Sequence, residues 1–496
     1  MIQPQLDEYM ESKTNILWIC SDQQRWDTLG CYGNEFVQTP HLDRLANGGV
    51  LFENAFCQSP ICTPSRASFL TGRYPRTTRC RQNGQAIPED ERLIPRILAD
   101  NGYKCGLAGK LHLSPCNPTV CPEMERRIND GYDVFHWSHH SGPGWETNAY
   151  HQWLKARGIS YSERPHPDSP YVSFGPEVDN HQTTWCAEMA IDFIESQAGT
   201  EQPWLFSVNF FDPHHPFDAP ESLLERYTEQ LQEIPLPAYT EGELDSKPHW
   251  QRREHNEAYG GYPFGKMSDL DHRLVRASCF AMCDLIDQQV GRMLEVLERS
   301  GQLSNTLVVY MSDHGEMLGD HGIYLKGAHF YEPAVHVPLI LSQPGTLEPQ
   351  KISDLIELVD LAPTFLDATK QPPEPGMQGH NFWPKLTKQV DTSPLRQDVY
   401  CEYYNAMPPD WDEWHTGEKD SSLGDHATML RTKKYKLVVA HGHEAGELYD
   451  LEYDPQETQN LWNSPKHSKI QVKLLKRLSD RMAWTADPLP ERVSVW

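Results

Sequence analysis

At 496 residues the chain is long enough for a large buried core and, on length alone, for about three domains. It carries 70 acidic against 44 basic side chains, a formal charge of -26, which argues against general affinity for nucleic acid or an anionic membrane. The first 14 residues hold three acids and no apolar run, and no later segment approaches the roughly 20 apolar residues of a membrane span, so a cytoplasmic location is the expectation.

After this polar extension (residues 1–14), Asn15-Ile-Leu-Trp-Ile-Cys-Ser-Asp22 is a continuous apolar run ending in a carboxylate. That pattern suits a buried parallel strand with Asp22 at its C-terminal edge, where open α/β sheets hold their ligands. Next comes Cys62-Thr-Pro-Ser-Arg-Ala-Ser-Phe-Leu-Thr-Gly72. It combines a candidate nucleophile, a proline that opens a helix, an arginine one turn along and a glycine that ends the helix. Cys62 would sit just ahead of that helix, where free N–H groups and the dipole favour an anion. A lone cysteine there is more often a buried structural one.

Apolar runs recur at 103–108, 204–211, 306–312 and 337–342, separated by helical or irregular sequence. Between the second and third lies an amphipathic pattern with Leu285, Ile286, Val290, Met293, Leu294 and Leu297 on one helical face. The architecture expected is α/β, a large mostly parallel sheet sandwiched by helices. Two stretches, 115–175 and 221–268, are rich in Pro, Gly, His, Trp and Tyr without periodicity and read as long excursions over the functional edge. The cluster His136, Trp137, His139, His140 and Trp145 suits the wall of a sugar-like pocket better than a set of metal ligands.

Near Gln371 the composition shifts, with Pro372, Pro373, Pro375 and Gly376 marking a boundary and an acidic irregular stretch running to about residue 424. Residues 427–439 and 447–450 then suggest short antiparallel strands, and 470–483 an amphipathic helix. This divides the chain into a catalytic α/β domain, 15–375, and a smaller C-terminal α+β domain, 376–496. The 12 cysteines show no C-x-x-C pair. Cys116/Cys121 and Cys279/Cys283 lack the further partners of a zinc site, so reduced structural thiols are expected.

The string from Cys62 to Gly72 resembles the signature of type I sulfatases, C-x-P-S-R-x-x-x-x-T-G, in which the cysteine is converted to formylglycine. Ser21-Asp22-Gln23-Gln24 with 29–33 and Ser312-Asp-His-Gly-Glu316 resemble the family's two metal-binding motifs. Gly109-Lys-Leu-His-Leu113, Asp212-Pro-His-His-Pro216, Lys326 and the pattern at 448–461 fall in matching places, so the resemblance spans nearly the whole chain. It implies an alkaline-phosphatase-like fold and a sulfuric ester hydrolase, with a carbohydrate sulfate favoured over aryl or alkyl sulfates. It also implies a metal shell of Asp22, Gln23, Asp313, His314 and the modified Cys62. On the family's mechanism His112 is the base, Arg66 and Lys110 stabilise the diol oxygens, and His214 and Lys326 contact the sulfate. Asn83 resembles a substrate-side asparagine, and Asn83-Gly84 is equally a turn signal.

Many family members carry a second aspartate where Gln23 lies and an asparagine where His314 lies. The exchange lowers the shell's negative charge and softens it, which keeps calcium first and leaves manganese or another divalent transition metal as the alternative. The Asp-Gln and Asp-His pairs also resemble choline sulfatases and phosphonate monoester hydrolases, so a phosphonate or phosphodiester hydrolase is the alternative activity. A non-catalytic protein that binds sulfated glycans is the alternative of another class. The implied partners are a small anionic sulfate ester or sulfated saccharide and a formylglycine-generating enzyme; monomer and homo-oligomer both stay open.

Overall fold

The computed structural model describes residues 13–258, 261–387, 393–404, 426–490 and 494. Nearly all of the expected N-terminal extension, and the acidic stretch from 405 to 424, lie outside the described residues. The core is an eight-stranded sheet: β1 (Asn15–Ser21), β2 (Val50–Phe52), β3 (Lys104–Gly109), β4 (Val134–Trp137), β5 (Trp204–Asn209), β6 (Thr306–Ser312), β7 (Leu339–Ser342) and β8 (Gln350–Ile352). Their spatial order is β8-β2-β7-β6-β1-β5-β3-β4. Among the described residues, five of the seven pairings are parallel; β7 runs antiparallel to both β2 and β6.

β1 lies between β5 and β6, with Ile19 opposite Val208 and Tyr310. Ser21 pairs with Ser312, so Asp22 and Asp313 leave the sheet at the same level. Side chains alternate across a strand, and both faces of β1 are buried: Ile16, Trp18 and Cys20 enter one core, Leu17 and Ile19 the other. That double burial is why the run reads as continuously apolar.

Helices cover both faces. α1 (Pro40–Asn47), α4 (Gln182–Gln197) and α5 (Asp269–Arg299) pack on the Leu17 side. α2 (Cys62–Thr71), α3 (Ile94–Asp100) and α6 (Leu361–Ala368) pack on the Trp18 side. α5 starts at a capping box in which the Ser268 side chain accepts from the Asp271 N–H and Asp271 accepts from the Ser268 N–H.

Two sequence expectations need amendment. Pro338 divides the 337–342 run, so that its second part forms β7 in antiparallel sense. The excursion from 115 to 175 supplies the edge strand β4, a helix at Ala149–Ala156 and a hairpin at 164–174, so it is more ordered than its composition implied.

A second sheet is wholly antiparallel in chain order: β9 (Asp398–Tyr403), β10 (Ala427–Thr432), β11 (Tyr435–Ala440) and β12 (Gly446–Asp450). α7 (Ser468–Trp484) lays Leu474 and Leu478 on one face, against Leu430 and Leu437. Cys401, Met429 and Val438 on the other face join the main core, which ties this smaller unit to the large sheet.

Candidate active site and metal centre

The site forms where β1, β3, β5 and β6 end. α2 begins at Cys62 itself, one residue earlier than expected, with Pro64 in the first turn, where its missing N–H costs nothing. Gly72, at φ 70°, closes the helix through its N–H to the Ser68 carbonyl at 2.9 Å. The Ser65 hydroxyl donates to the Asp313 carbonyl at 2.6 Å, which fastens the helix to the end of β6. The Asn83 Oδ1 accepts from the Thr63 N–H at 2.9 Å, satisfying one of the helix's open donors.

Asp22, Cys62, Asp313 and His314 offer ligand atoms that all lie within 4.8 Å of one another, and each residue is buried. Cys62 Sγ lies 3.1 Å from His314 Nε2 and 3.7 Å from Asp22 Oδ1. Burial and Asp22 push the Cys62 thiol up, but Lys110, Lys326 and His314 together bring it below its ordinary value. Burial would likewise lower His314, yet Asp313 and Cys62 outweigh it and raise the imidazole to about 9. The shell takes up positive charge where a cation would sit. Two carboxylates and an imidazole therefore fit a divalent ion, the metal-dependent centre the sequence implied.

Arg66, 1% exposed, donates Nη2 to Asp22 and Nε to Asp313, both at 2.8 Å, and Nη1 to the Lys110 carbonyl at 2.9 Å. Two of these three hydrogen bonds go to the carboxylates, whereas the resemblance implies a place on the nucleophile's oxygens. Lys110 is the cation that reaches both: Nζ is 2.6 Å from Asp22 Oδ2 and 3.5 Å from Cys62 Sγ. Burial alone would raise the Asp22 carboxyl, but Lys110 and Arg66 hold it well below the usual carboxylate range.

Lys326 Nζ lies 3.4 Å from Cys62 Sγ and also contacts His214 Nε2 and the Gln23 amide oxygen. Gln23 thus stands beside the shell, with its side-chain oxygen on Lys326 and its side-chain nitrogen donating to Glu316. Its backbone is bent to φ 61°, and its N–H donates to Asp313 Oδ1 at 3.0 Å. Burial and Lys326 keep the His214 imidazole well below its usual value; burial and Lys110 do the same for His112. Both rings are therefore neutral near pH 7.

Cys62, Lys110, His112, His214, Lys326 and Asn83 open onto one cavity of about 880 Å³, which His139, His140, Tyr161 and Phe211 also line. His136, by contrast, is half-buried within the field of Asp192 on α4 and is not among the residues that line the cavity. Trp137 and Trp145 form a buried edge-to-face pair. Sequence reasoning missed Glu125, whose buried carboxylate accepts the N–H groups of His112 and Leu113 and the Trp137 indole at 2.7–2.8 Å. Glu125 fixes the chain at His112, itself at φ 57°. It lies in an aperiodic stretch that offered no signal. Cys116 has the partners that its local sequence does not show, because His112 and His139 both approach it.

The comparisons with known proteins agree with this geometry. A family model described as Sulfatase matches residues 14–371, and one described as N-sulphoglucosamine sulphohydrolase, C-terminal, matches residues 319–483. An arylsulfatase of Clostridium perfringens is 28% identical, with 95% of each chain covered. The iduronate 2-sulfatase of Mus musculus is 29% identical, with 92% of each covered. A solved phosphonate monoester hydrolase from Silicibacter pomeroyi superimposes with a TM-score of 0.84 at 24% identity, covering 98% of each chain, and so shares the fold. Asp22, Asp313, His314 and a signature cysteine meet in one buried shell within a chain that the family model matches over most of its length, and the protein therefore belongs to the formylglycine-dependent sulfatase family of the alkaline phosphatase superfamily.

Proposed function

We propose that this sulfatase hydrolyses the sulfate monoester of a carbohydrate, with Cys62, once oxidised to formylglycine, supplying the nucleophile. The observation that carries the reading is the convergence of His314, Lys326 and Lys110 on Cys62 Sγ, at 3.1, 3.4 and 3.5 Å. Here Sγ marks the place of the formyl hydrate's oxygens. The cavity of about 880 Å³ exceeds what a sulfate group needs, and its imidazole and aromatic walls suit a sugar ring. An iduronate 2-sulfatase among the relatives supports the same substrate class.

In this reading one hydroxyl of the hydrate at position 62 gives its proton to solvent and attacks sulfur in line, and the ester S–O bond breaks. The leaving oxygen takes its proton from Lys326, held against the neutral His214. Lys110 stabilises the attacking oxygen. His112 then removes the proton of the second hydroxyl, the C–O bond to the sulfate breaks, and the aldehyde returns for rehydration. Gln23 and His214 hold Lys326 in place. A divalent cation held by Asp22, Asp313, His314 and the converted Cys62 supplies Lewis-acid stabilisation of the sulfate charge, with calcium the first choice and manganese or another divalent transition metal the alternative.

The reading includes a formylglycine-generating enzyme as maturation partner and a division into a catalytic unit, 15–375, and a smaller unit, 376–496. It also includes a cytoplasmic location, which the 12 free thiols suit. Among the described residues no helix is long and apolar enough to cross a membrane.

Mass spectrometry of the Cys62 peptide from the native host should show the aldehyde; thiol alone in active protein sinks the mechanism. On verified material, kcat/KM for an aryl sulfate should exceed that for the matched aryl phosphonate. A strong preference for the phosphonate would move the assignment to that activity. Cys62→Ala and Cys62→Ser should both lose turnover while keeping the wild-type melting temperature, because neither side chain can form the hydrate.

A further inference from the structure

A second group of ligating side chains lies beside the first. His112, Cys116 and His139 each bring one ligand atom to within 4.8 Å of the others, and none of the three belongs to the Asp22 shell. They come from two segments: His112 and Cys116 follow β3, while His139 follows β4, the strand paired with β3. The two imidazoles meet edge to face, with centroids 4.6 Å apart. The Nδ1 atoms of His112 and His139 are both buried and have no hydrogen-bond partner among the described residues, and His112 is only 8% exposed. Buried polar atoms in native proteins are paired as a rule, and an orphan calls for a ligand or a role. Glu125 accounts for the His112 backbone but does not serve its ring.

We propose that His112, Cys116 and His139 form a second metal site, selective for a thiophilic divalent cation such as Zn2+, whose occupancy blocks turnover by engaging His112. One thiolate and two imidazoles are a borderline-soft donor set that zinc binds and calcium does not. With Zn–N near 2.0 Å and Zn–S near 2.3 Å, a tetrahedral shell wants its ligand atoms roughly 3.3–3.8 Å apart. From separations of up to 4.8 Å, the three atoms therefore need to close by about 1.5 Å at most. As the metal–sulfur bond forms, the Cys116 thiol gives its proton to solvent, and the fourth position is left to water. The oxygen-rich Asp22 shell and this site are sorted by softness, so a calcium-loaded enzyme can take zinc as a second ion. The inhibition rests on the proposed role of His112; the binding does not.

The test separates the two. In the Cys62→Ala variant, which lacks the nearby competing thiol, titration with Co2+ is expected to give a thiolate-to-cobalt charge-transfer band that saturates at one equivalent per chain. Adding Cys116→Ser to that variant should abolish the band. If that double variant fails to fold, adding His139→Ala to Cys62→Ala instead should lower cobalt affinity at least tenfold. A band that survives both changes, or never appears, overturns the site. In the calcium-loaded active enzyme, Zn2+ should suppress kcat, and Cys116→Ser should keep the basal rate while raising the inhibitory Zn2+ concentration at least tenfold. Equal zinc sensitivity in Cys116→Ser overturns the blocking role even where cobalt binding stands. Should the enzyme turn over no sulfate ester at all, the cobalt titration still decides the site.

Discussion

Two buried carboxylates side by side repel each other, and Asp22 and Asp313 stay together because Arg66 donates to each at 2.8 Å. A guanidinium does this with two separated nitrogens in a rigid plane; an ammonium offers one point of charge. Arg66→Lys is therefore expected to satisfy one aspartate and leave the other unpaired, at a cost of roughly 3–5 kcal/mol for a broken buried pair. Thermal unfolding should show the loss in the metal-free protein, and added divalent cation should recover part of it by supplying the missing charge. A variant as stable as wild type without metal would mean that Arg66 does not hold the shell together. The type I signature made Arg66 legible as a site residue. Its task was not, because a motif gives the spacing along α2 but not which of several nearby oxygens the side chain meets across the sheet. Gln23 follows the same logic: its place at the end of β1 could be read, while its engagement by Lys326 depends on a residue about 300 positions away.

At the scale of elements, the position of Lys110 depends on how closely β3 approaches β5. Gly109 ends β3 at φ 105°, and a Cβ there would lie 1.9 Å from the Asn209 carbonyl oxygen, the same oxygen that accepts the Lys110 N–H at 3.0 Å. Gly109→Ala should thus strain the backbone and force the strands apart, costing about 2–5 kcal/mol from positive φ and overpacking together. Melting temperature and kcat/KM are expected to fall together. Gly102→Ala is the control: φ is 86°, nothing among the described residues lies within 4 Å of its Cβ, and only stability should fall, by about 1–2 kcal/mol. Equal effects at the two glycines would show that close strand approach does not place Lys110. Strands buried on both faces, β1 and β6 above all, could be read because they are unbroken apolar runs. β4 could not, since four residues of mixed polarity at a sheet edge carry no period. The meeting of His139 with Cys116 was hidden for the same reason: it depends on β4 pairing with β3.

For the molecule as a whole, a formal charge of -26 surrounds a site that must attract an anion. Three cations, Arg66, Lys110 and Lys326, stand against the carboxylates Asp22 and Asp313, and a bound divalent ion adds to the positive side. The two fields differ in reach. The attraction acts over a few ångströms at the strand ends, whereas the repulsion comes from the net charge of the molecule as a whole. Salt removes the longer-ranged field first: the screening length shrinks from about 30 Å at 0.01 M to about 10 Å at 0.1 M. Raising ionic strength across that interval is therefore expected to increase kcat/KM for a singly charged sulfate ester by roughly two- to fivefold, opposite to the fall seen when a protein's field steers its ligand inward. A disulfated saccharide should gain more than a monosulfated one, because the repulsion scales with ligand charge. The measurement is kcat/KM over a sodium chloride series at fixed metal. A decrease with salt for both substrates would mean that the basic nest at the strand ends governs the approach as well as the chemistry.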